Sequence, residues 1–307
     1  MQISDRFEVK KHGGLYKFLN KLMKNAYILI APAMITCLAL TIFPMCFAIY
    51  LGFHKWDPIS GRKKLVWFDN FRYLFRSEDF IKVIGNTLLF MFFIVFVGLL
   101  IKLLIGIFLN KRTPLHNFTQ TVIFTPHIVA SVSVAIIFMG MMAPKSGLFN
   151  TVLSAVGLPT SNWYLGADSA MTSVIMVSVW QSTGYGVLLI IAGLRGIPDY
   201  IYEAARMDRS KPINTFFKIT IPLLSPTLLY LLITTVCSAF TSFDVIKMMT
   251  DGGPDNATNL IAYYVYQQGM MFNQYGRAMA AAVILLIFTA TLSAINFFAL
   301  DRKVYYQ

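Results

Sequence analysis

The stretch YIYEAARMDRSKPINTFFKITIP, residues 200–222, sets two acids, four bases and a proline, Pro212, between long apolar runs. Lipid does not accommodate such a segment, so it marks a membrane surface and its flanks are candidates to span. Working outward, six runs are long enough for a spanning helix of about 20 mainly apolar residues. They cover residues 27–51, 87–109, 118–142, 170–194, 223–243 and 278–298. Strands of a membrane barrel are about half that length and alternate strictly; these runs do not alternate, so helices are expected.

Composition agrees. The 307 residues are 57% hydrophobic and only 13% charged, against about 25% charged in soluble domains. The fold class expected is all-α, a polytopic membrane protein with six transmembrane helices. Pro32, Pro44 and Pro126 fall inside spans, where prolines are tolerated and often kink the helix. The first run is too long for the apolar region of a secretory signal, about 7–15 residues, and reads as an uncleaved helix. Cys37, Cys46 and Cys237 lie in apolar runs and read as small buried hydrophobes with no disulfide framework.

The net charge of +12 would suit nucleic acid, but the bases flank the apolar runs and form no long tract, so no nucleic-acid partner is expected. The larger share of the 26 Lys and Arg lies in the N-terminal arm, the 110–117 loop, the 195–222 loop and the tail. The positive-inside rule then puts both termini in the cytoplasm. The expected organisation is a cytoplasmic arm over residues 1–26, a six-helix transmembrane domain over 27–298 with a cytoplasmic loop at 195–222, and a cytoplasmic tail over 299–307. The opposite side carries a basic, aromatic-rich loop, 54–86, expected to hold a short helix lying on the outer surface.

The 195–222 loop has helix signals. Pro198 suits a first turn, Asp199 and Glu203 suit the positive end, and Arg206 and Arg209 the negative end. Lys211-Pro212 is expected to stop the helix. The full pattern resembles the EAA loop of binding-protein-dependent ABC importer permeases, E-A-A-x3-G-x9-I-x-L-P. Glu203, Ala204, Ala205, Ile219 and Pro222 match it; Ile221 replaces the leucine and Arg209 stands at the glycine. If that glycine serves a positive φ, Arg209 bears roughly 1–2 kcal/mol of strain, or the turn differs.

The likeness covers most of the chain. WFDNFRYLF (67–75), GLFNTVLSAVGLP (147–159), FTSFDVIKMMTDGGPDNAT (240–258) and YGRAMAAAVILLI (275–287) look like segments of the sugar and glycerol-phosphate permeases. That resemblance implies a type I ABC importer permease fold and uptake of a sugar or oligosaccharide. It implies a bacterial or archaeal cytoplasmic membrane, a second homologous permease subunit, two ATPase subunits and an extracytoplasmic solute-binding protein. A coupling helix over 200–211, with Glu203, Ala204, Ala205, Arg206, Met207, Asp208 and Arg209, would carry ATPase closure to the spans. The chain would be no enzyme and bind no cofactor; ATP and Mg would belong to the ATPase. No G-x-x-x-x-G-K-[ST] phosphate loop occurs in it.

Sugars need hydrogen-bonding groups and flat apolar faces. Trp180, Gln181, Tyr185, Ser238 and Asp244 are the candidates for the substrate pathway. The remaining Ser and Thr of residues 234–242 read first as helix-to-helix hydrogen-bonding groups. Asp244 reads equally as an outer gate, a sugar contact or a cap on the Gly252-Gly253-Pro254 loop. Lys102 would cost about 2.5–3.5 kcal/mol at mid-membrane and is expected to snorkel to the cytoplasmic headgroups. His127 reads as a packing residue. An ion-coupled secondary transporter is the alternative class; it would need buried acids or His, for which only Asp244, Lys102 and His127 stand.

Overall fold

The computed structural model describes residues 26–300 apart from 59. The expected arm and tail, residues 1–26 and 299–307, fall almost wholly outside them, as do the terminal bases that decided the expected orientation. The described chain is helical apart from one small hairpin. Two compact units are distinguished, residues 1–50 and 51–307.

In the first unit, and running just beyond it, α1 (Tyr27–Gly52) is long and apolar enough to cross a membrane. A π turn over Leu38–Ile42 precedes Pro44. Cys37 and Cys46 are exposed on it, contrary to the buried reading, and Cys237 is half-buried. Small hydrophobes on a helix in lipid need no protein around them.

The second unit begins with a hairpin, β1 (His54–Trp56) antiparallel to β2 (Lys63–Leu65), with Lys55 opposite Lys64. Then come α2 (Asp69–Arg76) and the first long helix of the unit, α3 (Glu78–Leu109). The 54–86 loop therefore contains the expected short helix, but also two strands and the first turns of α3. Hydropathy misplaced the start of α3 because Glu78, Asp79 and Lys82 dilute it, whereas Phe80, Val83, Thr87 and Phe90 form a buried stripe at helical spacing. The opposite stripe, Leu88, Phe92, Phe96, Leu100, Leu104 and Phe108, is exposed at every fourth position. Lipid tails suit that stripe as well as protein does.

The third expected span is two helices. α4 (Pro114–Ile128) and α5 (Ser131–Met141) meet at 101°. Pro126 lies two residues before α4 ends, and Val129 and Ala130 are extended, with ψ near 138° and 134°. A short α6 (Leu148–Ala155) leads to α7 (Ala170–Gly196). α7 is the centre of the fold: half of its apolar window is buried, against 28% for α3, 33% for α9 and 28% for the last span. It packs along α3, α4 and α9.

Past α7 stand α8 (Asp199–Met207) and α9 (Pro212–Phe240). Pro212 does not end α8; it is the first residue of α9, where a missing N–H costs nothing. The helix expected over 200–211 thus covers 199–207. Then follow α10 (Asp244–Met249), α11 (Ile261–Tyr266) and α12 (Tyr275–Leu300). α12 packs on α9, α11 and α2, and α10 on α5. The main core joins Phe90 and Ile94 of α3 with Val134 and Phe138 of α5, Val174 and Val177 of α7, and Ile246 and Tyr263.

Candidate functional site: an open cleft and a helix outside the spans

Two features stand apart from ordinary packing. The first is a cleft of about 640 Å³. Lys102 of α3, His127 and Val129 through Ser131 at the α4–α5 break, Ser178, Gln181, Ser182 and Tyr185 of α7, and Thr234, Thr235 and Ser238 of α9 line it, as does Asp244 of α10. Among the candidates, Gln181, Tyr185, Ser238 and Asp244 come together there. Trp180 does not: it is 45% exposed and sets its ring edge-on to Phe138 at 5.0 Å.

The cleft is built by the break. Gln181 Nε2 donates to Val129 O at 3.1 Å and to Ser131 Oγ at 3.3 Å, tying α7 to one backbone carbonyl and one side-chain hydroxyl at the break. His127 stacks on Tyr185 with ring centroids 5.0 Å apart, and the Tyr185 and Tyr230 hydroxyls lie 3.2 Å apart. Gly184 lets α4 and α7 touch; a Cβ there would fall 2.7 Å from Phe124 Cα and onto Ile123 O. The Ser and Thr groups do not bond between helices as expected. Thr234, Thr241 and Ser242 donate to Tyr230 O, Cys237 O and Ser238 O in their own stretch, leaving hydroxyl lone pairs for the cleft.

Lys102 departs furthest from expectation. It is 3% exposed, packed among its neighbours rather than extended to the protein surface. Its stem crosses Gly186, where a Cβ would lie 2.5 Å from Lys102 Cδ, and Nζ lies about a turn back, 4.0 Å from the Cβ position of Gly98. Helical side chains point toward the N-terminus, which here is away from the α8 end. The sequence carried the signal: Lys102 shares the buried stripe of Ile94, Gly98 and Gly106.

The second feature is α8. Ala205 is buried, while Glu203, Ala204, Arg206, Met207, Asp208 and Arg209 are exposed. Arg209 has φ +52°. Ser210 N–H donates to Ala205 O and Arg209 N–H to Arg206 O, each at 3.0 Å. This is the Schellman closure that glycine ordinarily provides, made here by an arginine. Arg209→Gly is expected to raise stability by about 1 kcal/mol, read as a melting-temperature rise of about 2–4 °C in the detergent-solubilised protein. A groove beside α8 is lined by Asp199, Tyr202, Glu203, Arg206, Ser210 and Thr215. Tyr200, Met207, Ile213 and Phe217 are 64–85% exposed around it, an apolar surface rimmed by charge.

At the hairpin end the loop after α10 is tied down. Lys247 Nζ donates to Asp251 Oδ1 at 2.6 Å, and Tyr263 Oη to the same oxygen at 2.7 Å. The Lys247 bond, then the Tyr263 bond, hold the Asp251 carboxyl below the ordinary carboxylate range; the same contact raises Lys247. Burial first, then Asp251, pushes Tyr263 up, and burial pushes Tyr264 up to about 12. Lys82 meets Asp255 at 3.0 Å, and Asn86 donates to Asn256 O and Asn259 O. Asp251 and Thr258, rather than Asp244, hold the Gly252-Gly253-Pro254 turn.

Comparison with known proteins places these features. The profile described as "Binding-protein-dependent transport system inner membrane component" matches residues 102–305. The sn-glycerol-3-phosphate transport system permease protein UgpA of Escherichia coli O157:H7 is 31% identical over 282 residues, 92% of this chain and 95% of that protein. The probable ABC transporter permease protein YurN of Bacillus subtilis (strain 168) is 34% identical over 275 residues, 87% and 92% of the two chains. Among solved structures, a chain of a bacterial ABC transporter involved in the import of the acidic polysaccharide alginate superposes with a TM-score of 0.80 at 23% identity, covering 94% of this chain and 99% of that one.

Proposed function

This chain belongs to the binding-protein-dependent transport system inner membrane components, and from that premise we propose that it is the permease subunit of an ATP-driven importer of a sugar or oligosaccharide. An extracytoplasmic binding protein delivers the cargo, a second homologous permease completes the pathway, and two separate ATPase subunits hydrolyse ATP with Mg. The fold is that of type I ABC importer permeases, and its spans make it a multi-pass membrane protein. Cargo of this kind draws support from the relatives named for sn-glycerol-3-phosphate transport and from the structural likeness to an alginate importer.

One observation carries the coupling: α8 joins α7 and α9, two of the helices that line the cleft. A push on α8 is therefore a push on two of its walls. We assign Glu203, Ala204, Arg206, Met207, Asp208 and Arg209 to ATPase contact and the buried Ala205 to seating α8 on the rest of the chain, with the α8 end in the cytoplasm. The exposed face of α8 and its apolar surroundings support that assignment. Gln181, Tyr185, Ser238 and Asp244 are assigned to the pathway. The cleft is open, with His127 and Ser238 exposed, as half of a passage between two subunits would be. Trp180 is assigned to the margin of the pathway, on its exposed ring.

The complex of this chain with its partner permease and ATPases, reconstituted in proteoliposomes with the binding protein, is expected to take up cargo only with ATP. Uptake that persists without ATP and collapses with the ion gradient would overturn this reading in favour of an ion-coupled transporter.

A further inference from the structure

We propose that Lys102 is an anion-recognition residue of the cleft, and that the cargo carries a phosphate or carboxylate on its polyhydroxyl frame. The proposal rests on the importer reading and deepens it by naming the charge of the substrate.

The lysine is 3% exposed and lies on the packed face of its span. Among the described residues no carboxylate forms an ion pair with it; the ion pairs there join Arg72 to Asp69, Lys82 to Asp255 and Lys247 to Asp251. A buried ammonium without a partner carries a large desolvation penalty unless a ligand supplies the opposite charge. Its direction fits that use. The stem is held across Gly186, which has no side chain to displace it, and the ammonium turns back toward Gly98 and the middle of the span. It thereby lines the same cleft as Gln181, Ser182 and Tyr185.

A second orphan lies on α7. Ser178 Oγ has no hydrogen-bond partner, and Ser178 is among the residues that line the cleft. A point-like cation and a spare hydroxyl are suited to an anionic oxygen, while the α7 and α9 hydroxyls suit the neutral hydroxyls of the same cargo. His127 and Asp244 are the other titratable groups of the lining besides Tyr185. Asp244 is exposed, at the edge of α10, so a single acid at the margin accompanies the buried cation.

The test uses the complete transporter in proteoliposomes and four probes: glycerol 3-phosphate, a uronate trisaccharide, glycerol and a neutral trisaccharide. The expected result is uptake of one or both anionic probes. Lys102→Met then lowers that uptake by about tenfold to a hundredfold, with the complex still assembled. Gly186→Ala, whose Cβ falls on the lysine stem, is expected to lower anionic uptake in the same direction. A measurement on the unaltered protein guards against a folding defect in either variant: the anionic probes are expected to inhibit each other's uptake and the neutral ones not.

ATP-driven uptake confined to the neutral probes, or anionic uptake untouched by Lys102→Met, overturns this proposal and leaves the importer reading standing. Uptake of a probe driven by an ion gradient without ATP overturns that reading, and this proposal with it.

Discussion

Glu203→Lys is expected to lower ATP-driven uptake by about a hundredfold or more while the protein still inserts and assembles its spans. The glutamate is exposed on α8, beside Arg206 in the groove. Reversing one charge at a helix position of this kind changes helix stability by only a few tenths of a kcal/mol. At a docking surface, opposing like charges cost several kcal/mol, which is the hundredfold. The two effects separate in measurement: thermal melting of the solubilised chain reports the first, and uptake with copurification of the ATPase reports the second. Unchanged uptake by the variant would remove α8 from the coupling path.

Gly184→Val is expected to be the most damaging single change to packing in α7. Its Cβ would stand on the α4 backbone at Ile123 and Phe124, and backbone cannot swing aside as a side chain does. Overpacking of this sort costs about 1–3 kcal/mol, sometimes more, so a melting-temperature fall of roughly 5 °C or more is expected. Because α4 carries the break that shapes the cleft, uptake should fall as well. Gly140→Val provides the contrast. Nothing lies within 4 Å of a Cβ at Gly140, and its melting temperature should stay close to that of the unaltered chain. Equal losses in both variants would show that helix propensity, not the α4–α7 approach, governs the result.

The described spans were legible in the sequence, because apolar runs in a poorly charged chain have few other uses. The EAA stretch was legible too, since capping and charge placement are local. The ends of the spans were less so. α3 begins at Glu78 and α9 at Pro212, each well before its apolar run, because a helix can project beyond lipid on the strength of packing that hydropathy does not register. The turn after α8 needs a positive φ, and sequence posed that question at Arg209 without answering it. Of the pathway candidates, Gln181, Tyr185, Ser238 and Asp244 share the cleft, while Trp180 packs edge-on to Phe138. Polarity within a span marks such residues, but not the face on which they stand.

By itself the sequence determined the solvent, the helical class and the place of the charged helix between two spans. These follow from short-range chemistry: transfer of side chains into lipid, proline geometry and helix caps. Only the tertiary structure decided that the third span breaks by 101°, that Gln181 holds the break, and that Lys102 turns inward across Gly186. Each depends on which backbones come close enough to exclude a side chain, and that is settled between helices far apart in the chain.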